Sequence, residues 1–401
     1  MSSLIAHLGS HPLLAIAELV QQGYDGKRIH QSFFALNGAV DTPQKTLNRL
    51  GGTIKFSQTC MCVEKETCTP HYLQTVLESY TPATIAWYPL ASRSQVVTTN
   101  YQRQATKGMT LQRPRRPDVP QLPSQETALL LKKGKTELNV IEENTTIRIT
   151  KTIAVQNVDS YTQRDMDRPH LLKKTGMFPP KLAQIVINLV GKKTGVLIDP
   201  FCGSGLVLQE ASLLGFATFG IDLHPRTVEL ARENLEWAEK TLKLQPCNWK
   251  NNIKHGNATD LHGYKKFAQK FDAVVTEGEL GPNFSRRPTP ELLAKIIPEL
   301  TKLQIDFLRA IAPSLKDGAR LVLCFPYWRD PKEHDWTKQQ RILPSISSKF
   351  NTLGYTLIPI LPKDVLGTAY QTLGYDRPQQ FVGREVCILE KSTQQHNKKT
   401  H

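Results

Sequence analysis

Gly195-Val196-Leu197-Ile198-Asp199-Pro200-Phe201-Cys202-Gly203-Ser204-Gly205 is the stretch on which the architecture turns. Val196 to Ile198 is an apolar run with the length of a buried strand, and it stops at an acid and a proline. Gly203-Ser204-Gly205 is a small-residue turn, and Leu206 to Leu214 has the amphipathic pattern of a helix. Strand, glycine turn and helix together let backbone N–H groups approach a ligand closely. The turn lacks the third glycine and the spacing of a dinucleotide fingerprint, and it lacks the Gly-Lys-Ser/Thr of a phosphate loop. An acid at the strand end repels a pyrophosphate and suits a cationic or hydroxyl-rich ligand.

Outward from this stretch, strands and helices alternate from Lys181 to about Lys391. Strands are predicted at Ala217–Ile221, Asn252–Lys254, Ala273–Thr276 and Arg320–Phe325. Helices are predicted at Lys181–Val190, Arg226–Lys240 and Pro290–Ile311. Such alternation implies a parallel sheet covered on both faces. The period changes near the end, where Thr356–Leu361 and Phe381–Leu389, around Gly374-Tyr375, imply an antiparallel pair closing the sheet. Ser392 to His401 is polar and is expected to be disordered.

Three acids follow three of these strands. Asp199 ends the first. Asp222 ends the second, where one carboxylate can accept from both hydroxyls of a ribose; it could instead cap the next helix. Asp260, in Gly256-Asn257-Ala258-Thr259-Asp260, can accept from an adenine amino group or serve as a helix N-cap. Together they describe an adenosine-binding sheet edge without a phosphate site, which points to S-adenosylmethionine. The expected contacts are Asp199, Pro200, Cys202, Gly203, Gly205, Asp222, Leu223, Ala258 and Asp260. His224 and His255 fall near this edge and are read as surface or packing residues.

The 401 residues imply two or three domains and carry a formal net charge of +15. No apolar run reaches the roughly 20 residues of a membrane span, and Met1 to Val20 lacks the basic start of a signal peptide. Seven cysteines, an odd number, argue for a reducing compartment such as the cytoplasm. Cys60, Cys62, Cys68 and His71 match no zinc spacing, and no metal site is expected. The charge is uneven. Ser79 to Pro117 holds no acid but contains Arg93, Arg103, Lys107, Arg113, Arg115 and Arg116, with Tyr80, Trp87, Tyr88 and Tyr101 interleaved. Arginine forks grip phosphates and stack on bases, so a nucleic-acid partner is expected. Lys132 and Lys133, at the end of a predicted helix, extend the basic set. Two small α/β units, 1–57 and 58–157, precede a connector over 158–180.

The chain resembles the archaeal and eukaryotic tRNA guanosine-N2 methyltransferases that modify a D-stem guanosine, position ten. The resemblance rests on Asp199 to Gly205 and on Leu8-Gly9-Ser10-His11-Pro12, Ala17-Glu18-Leu19, Leu50-Gly51-Gly52-Thr53-Ile54-Lys55 and Lys135-Thr136-Glu137-Leu138. Further support comes from Asp165-Met166-Asp167-Arg168-Pro169, Gly176 to Ala183 and Val382-Gly383-Arg384-Glu385. It implies a ferredoxin-like piece over 1–57 and a THUMP RNA-binding domain over 58–157. A Rossmann-like class I methyltransferase domain over 181–391 would then use S-adenosyl-L-methionine. It also implies that Met177 and Pro179 lie against the cofactor. The partner would be tRNA, with a small zinc-binding activator subunit in some relatives and otherwise a monomer.

In amino-methyltransferases the fourth strand ends in Asp/Asn-Pro-Pro and an aromatic residue. Acid or amide and a backbone carbonyl aim the amine's lone pair at the methyl group, and the aromatic stacks on the extruded base. Here the corresponding residues are Thr276-Glu277-Gly278-Glu279, followed by Leu280-Gly281-Pro282. Thr276, Glu277 and Glu279 are the candidate catalytic residues, with Phe284 or Tyr327 taking over the stacking. Two alternatives stay open: a tRNA-binding protein without turnover, and transfer to another RNA guanine or a DNA amino group. Arg168, Arg377 and Arg384 could contact RNA or brace the loop.

Overall fold

A computed structural model describes residues 3–80, 83–88, 100–107, 109–111, 124–171, 178–282, 284, 286–330, 332–333, 335–377 and 380–393. The chain divides into two compact units, Met1–Tyr161 and Thr162–His401.

The first unit holds one eight-stranded sheet. Its strands are β1 (Leu4–Leu8), β2 (Gly26–His30), β3 (Phe33–Leu36), β4 (Thr53–Glu64), β5 (Ala83–Tyr88), β6 (Thr110–Leu111), β7 (Thr136–Glu142) and β8 (Thr146–Val155), in the order β2-β3-β1-β4-β8-β7-β5-β6. The boundary expected at residue 57 falls inside β4. That strand pairs with β1 from Thr53 to Gln58 and with β8 from Lys55 to Glu64. Two of the quoted stretches meet here: the Glu18 carboxylate accepts from Gly51 and Gly52 N–H, each at 2.8 Å. A Cβ on Gly52 would lie 2.7 Å from Ala15, so glycine permits the close packing. Lys55 Nζ is wholly buried and donates to Glu137 at 2.9 Å and to Thr127 at 2.5 Å. Burial lowers its pKa, opposed by the Glu137 carboxylate. The strand expected at Gln95–Thr98 lies outside the described residues.

The second unit is built on a nine-stranded sheet. Its strands are β9 (Gly195–Asp199), β10 (Phe216–Asp222), β11 (Ile253–His255), β12 (Phe271–Glu277), β13 (Leu315–Trp328), β14 (Gln340–Arg341), β15 (Tyr355–Ile358), β16 (Thr372–Tyr375) and β17 (Val382–Lys391). The order is β11-β10-β9-β12-β13-β17-β15, with β14 on β13 and β16 on β17. β9 to β13 are mutually parallel, and β17 runs antiparallel between β13 and β15. The winding reverses between β9 and β12. A crevice at the carboxyl ends of the strands is the ligand position of such sheets.

Apolar residues of β9, β12 and β13 (Ile198, Val274, Leu321, Leu323) pack with Leu300, Phe307 and Leu308 of the helix Pro290–Ile311. That helix begins at Thr289, whose side chain caps Leu292 N–H. Gly374 and Tyr375 lie in β16, and the Trp336 ring covers Gly374, 2.8 Å from where a Cβ would stand. The connector contains an unexpected helix, Val158–Met166. None of the described helices is long and apolar enough to cross a membrane.

Candidate active site

The site forms where β9, β10 and β12 end. Asp199 closes β9 with 2% of its surface exposed. Its Oδ1 accepts from Phe201 N–H at 3.0 Å and from the Thr276 hydroxyl at 2.5 Å. Burial pushes its pKa up to about 7, against those two hydrogen bonds, and the Asp222 and Glu277 charges add to the rise. A buried carboxyl in this state is a ready receptor for a cationic group.

Gly203 and Gly205 have φ of +49° and +86°, a conformation that favours glycine. Gly205 N–H donates to Cys202 O at 2.8 Å, and Cys202 N–H to Ile221 O at 3.0 Å. The Asp222 carboxylate joins turn and strand: Oδ2 accepts from Gly203 N–H at 3.1 Å and Oδ1 from His224 N–H at 2.9 Å. It is therefore not a cap of the helix Pro225–Leu242, whose N-cap is His224. A carboxylate offers about four acceptor positions, so two remain for hydroxyls. The Gly203 N–H is already taken, which leaves the turn poorly suited to a phosphate.

Leu223, next in the chain, is 57% exposed, a large apolar face beside Asp222. His255 Nε2 lies 3.0 Å from the Leu223 carbonyl. Asp260 is exposed and caps the helix Leu261–Lys265 through His262 N–H at 2.9 Å, so one of its oxygens serves the local fold. Ala258 is buried, its carbonyl accepting from Tyr264 OH at 2.7 Å. Cys202 is also buried, and burial raises its thiol pKa.

The end of β12 divides the three acceptor candidates. Thr276 is 2% exposed and its hydroxyl is committed to Asp199. The expectation that Thr276 takes the place of the motif's acid meets a hydroxyl already bonded to Asp199. Glu277, the last residue of β12, forms an ion pair with Arg384 of β17 across the intervening β13. Arg384 is 3% exposed and Glu277 18%. Burial raises the Glu277 pKa and Arg384 opposes the rise. The Arg384 guanidinium also stands 5.8 Å from the Phe178 ring, adjoining Pro179. Glu279 is exposed and its carboxylate accepts from Gly281 N–H at 3.0 Å.

Of the stacking candidates, Tyr327 is excluded. It is wholly buried, lies against Gly383 and donates to Asp376 at 2.7 Å. Phe284 packs partly buried on the core. Arg168 donates to Ser204 Oγ at 3.3 Å and Arg377 Nε to Tyr375 OH at 3.3 Å, so both brace the fold, as does Arg384.

Trp87 and Tyr88, read as aromatics interleaved with the basic segment, are core residues at 7% and 0% exposure. Lys107, Lys132 and Lys133 are exposed. Met177, Arg113, Arg115, Arg116 and the Arg103 side chain lie outside the described residues. Two participants were missed. Phe178 stood unremarked inside a quoted stretch. Gln304 interrupts the apolar stripe Ile296, Leu300, Phe307, a polar residue where the helical period calls for an apolar one.

Known proteins resemble parts of this chain. Residues 170–333 match a family described as RMKL-like, methyltransferase domain, and residues 86–233 match one described as DNA methylase. The tRNA (guanine(10)-N2)-dimethyltransferase of Methanothermobacter thermautotrophicus is 30% identical over 205 residues, 50% of this chain and 53% of that protein. The enzyme of the same name from Methanocaldococcus jannaschii is 29% identical over 42% of this chain and 50% of its own. The tRNA (guanine(10)-N(2))-methyltransferase TRMT11 of Dictyostelium discoideum is 26% identical over 46% and 39%. The chain thus spans about half the length, or less, of these curated relatives. The crystal structure of TrmN from Thermus thermophilus superposes with a TM-score of 0.54 at 15% identity, covering 98% of this chain and 100% of that one. The fold is a mixed α/β methyltransferase-like fold with a Rossmann-like sheet.

Proposed function

We propose that the chain transfers a methyl group from S-adenosyl-L-methionine to the exocyclic N2 of a guanosine in tRNA, position ten by analogy with the relatives. One observation carries the proposal. Glu277 stands at the end of β12, one residue from the Thr276–Asp199 hydrogen bond, so an acceptor acid adjoins a cofactor acid.

The residues fit the cofactor. Asp199 would take its cationic amino group, Asp222 its ribose hydroxyls, Leu223 the adenine face, and Ala258 and Asp260 the adenine edge. Cys202, Gly203 and Gly205 would line the turn, with Pro200, Pro179 and Met177 beside it. When bound, this cofactor supplies an electrophilic methyl on a sulfonium. Glu277 would accept from the guanine amine and aim the nitrogen lone pair, a near-attack arrangement. The methylated nitrogen is strongly acidic and loses its proton without a strong base; Glu277, raised by burial, can receive it. Glu279, exposed at the rim, is the secondary acceptor, and Thr276 supports through Asp199.

The first unit is read as the tRNA-holding part, a ferredoxin-like piece and a THUMP domain sharing one sheet. Arg103, Lys107, Arg113, Arg115, Arg116, Lys132 and Lys133 would meet phosphates. Labelled cofactor and total tRNA, followed by nucleoside mapping, test the reading. Label in N2-methylguanosine supports it. Label in another nucleoside redirects it to the other acceptor, and tRNA binding without label redirects it to the silent binder.

A further inference from the structure

Gly278 stands where the acceptor motif has its second proline, and the structure gives a reason. Its φ is not in the left-handed region, so the backbone does not require glycine there. Space does. A Cβ at Gly278 would lie 2.5 Å from Gln304 Nε2 and 3.3 Å from the rest of that carboxamide. Gln304, on the helix Pro290–Ile311, therefore fills the volume that a side chain at 278 would take. Residues one and two turns earlier on that helix hold the same loop: Leu300 and Ile296 each stand 3.5 Å from a Cβ position on Gly281.

The carboxamide is unusual in a second way. Gln304 is 2% exposed, and its Nε2 has no hydrogen-bond partner among the described residues. A buried amide donor left unpaired costs free energy, and an apolar residue of equal length would avoid that cost. The donor faces Gly278, in the loop between Glu277 and Gly281.

We propose that Gln304 is a positioning residue for methyl transfer. Its carboxamide takes the place of the motif's proline ring and donates to a backbone carbonyl of the 277–281 loop when the cofactor site is filled, holding Glu277 at the methyl group. The inference rests on the functional reading above but has a readout separate from turnover.

The experiment compares wild type, Gln304→Met, Gln304→Ala and Gln304→Ala/Gly278→Pro, as full chains. The methionine variant keeps length and loses the donor. With S-adenosylhomocysteine bound, amide exchange at 277–281 should be slow in wild type and at least tenfold faster in Gln304→Met. The melting temperature should be equal or higher in that variant. Methyl transfer to tRNA should fall roughly tenfold or more in kcat, with KM for tRNA unchanged. In Gln304→Ala/Gly278→Pro the restored ring should recover activity and slow exchange relative to Gln304→Ala, a coupling a merely structural glutamine would not produce. Equal exchange in wild type and Gln304→Met, or no protection in wild type on adding S-adenosylhomocysteine, overturns the proposal. Failure of the double variant to recover slow exchange also overturns it. If wild type shows the exchange pattern but no transfer to tRNA, the functional reading fails and the loop-holding role stands.

Discussion

The proposed cofactor end and the proposed acceptor end of one sheet are held in different ways. At that first end, all the contacts but that of Thr276 to Asp199 lie close in sequence. Asp199 caps Phe201, Asp222 takes Gly203 and His224 N–H, and the turn closes on Cys202. At the acceptor end, Glu277 is held by Arg384, more than a hundred residues on, and Gly278 is backed by Gln304 from another helix. Carboxylates bonded to nearby backbone N–H groups hold the first end. Side chains from distant elements hold the second, and this is where the sequence departs from the amino-methyltransferase motif.

The largest effect should come from breaking the acceptor end. Glu277→Gln should reduce methyl transfer by ~10²-fold or more, the scale of a positioned acid–base group, with cofactor affinity unchanged in titration calorimetry. Equal loss of cofactor affinity would merge the two ends. Transfer requires ionised Glu277, so activity should fall as pH drops through its raised pKa. Arg384→Ala removes the group that opposes the rise, so the acid limb of the pH profile should move up. Leaving a mostly buried carboxylate unpaired should also destabilise the fold by about 3 kcal/mol in urea melts.

At the cofactor end, Asp222→Ala should weaken S-adenosylmethionine by roughly 1–3 kcal/mol without moving the acid limb. Asp199→Asn offers a finer test. Both bonds to Asp199 land on Oδ1, which asparagine retains, so the fold should survive. With a pKa of about 7, Asp199 in the free protein is largely protonated at pH 6, and a cationic ligand should expel that proton. Calorimetry in buffers of different ionisation enthalpy should show proton release for wild type and none for the variant. The folded-state pKa lies above the ordinary value. The Asp199 contribution to stability is therefore full below that value and is lost as pH rises through about 7. Asp199→Asn should accordingly melt higher than wild type at pH 8. The smallest contrast concerns the basic residues of the first unit. tRNA affinity should fall steeply with salt if they meet phosphates, whereas cofactor affinity should barely change.

Legibility followed the same division. Asp199, the glycine turn and Asp222 could be found because strand-end acids and small-residue turns leave a local mark. Asp260 left a mark with two meanings, and the structure shows its capping role. Thr276 was read as a stand-in for the acid because alignment counts positions, whereas the hydroxyl's partner lies on another strand. Tyr327 seemed free to stack because its burial under Gly383 depends on the pairing of β13 with β17. Trp87 and Tyr88 read as part of a basic, aromatic surface, although their strand β5 buries them.

By itself the sequence determined the parallel α/β sheet, its antiparallel closing strands and the acids at its edge. Periodicity and turn chemistry are local properties and survive in one dimension. The tertiary structure decided which arginine pairs with Glu277, that the Thr276 hydroxyl is committed to Asp199, and that Gln304 fills the space beside Gly278. Those outcomes depend on contacts across strands and between helix and loop, where sequence separation carries no information about distance.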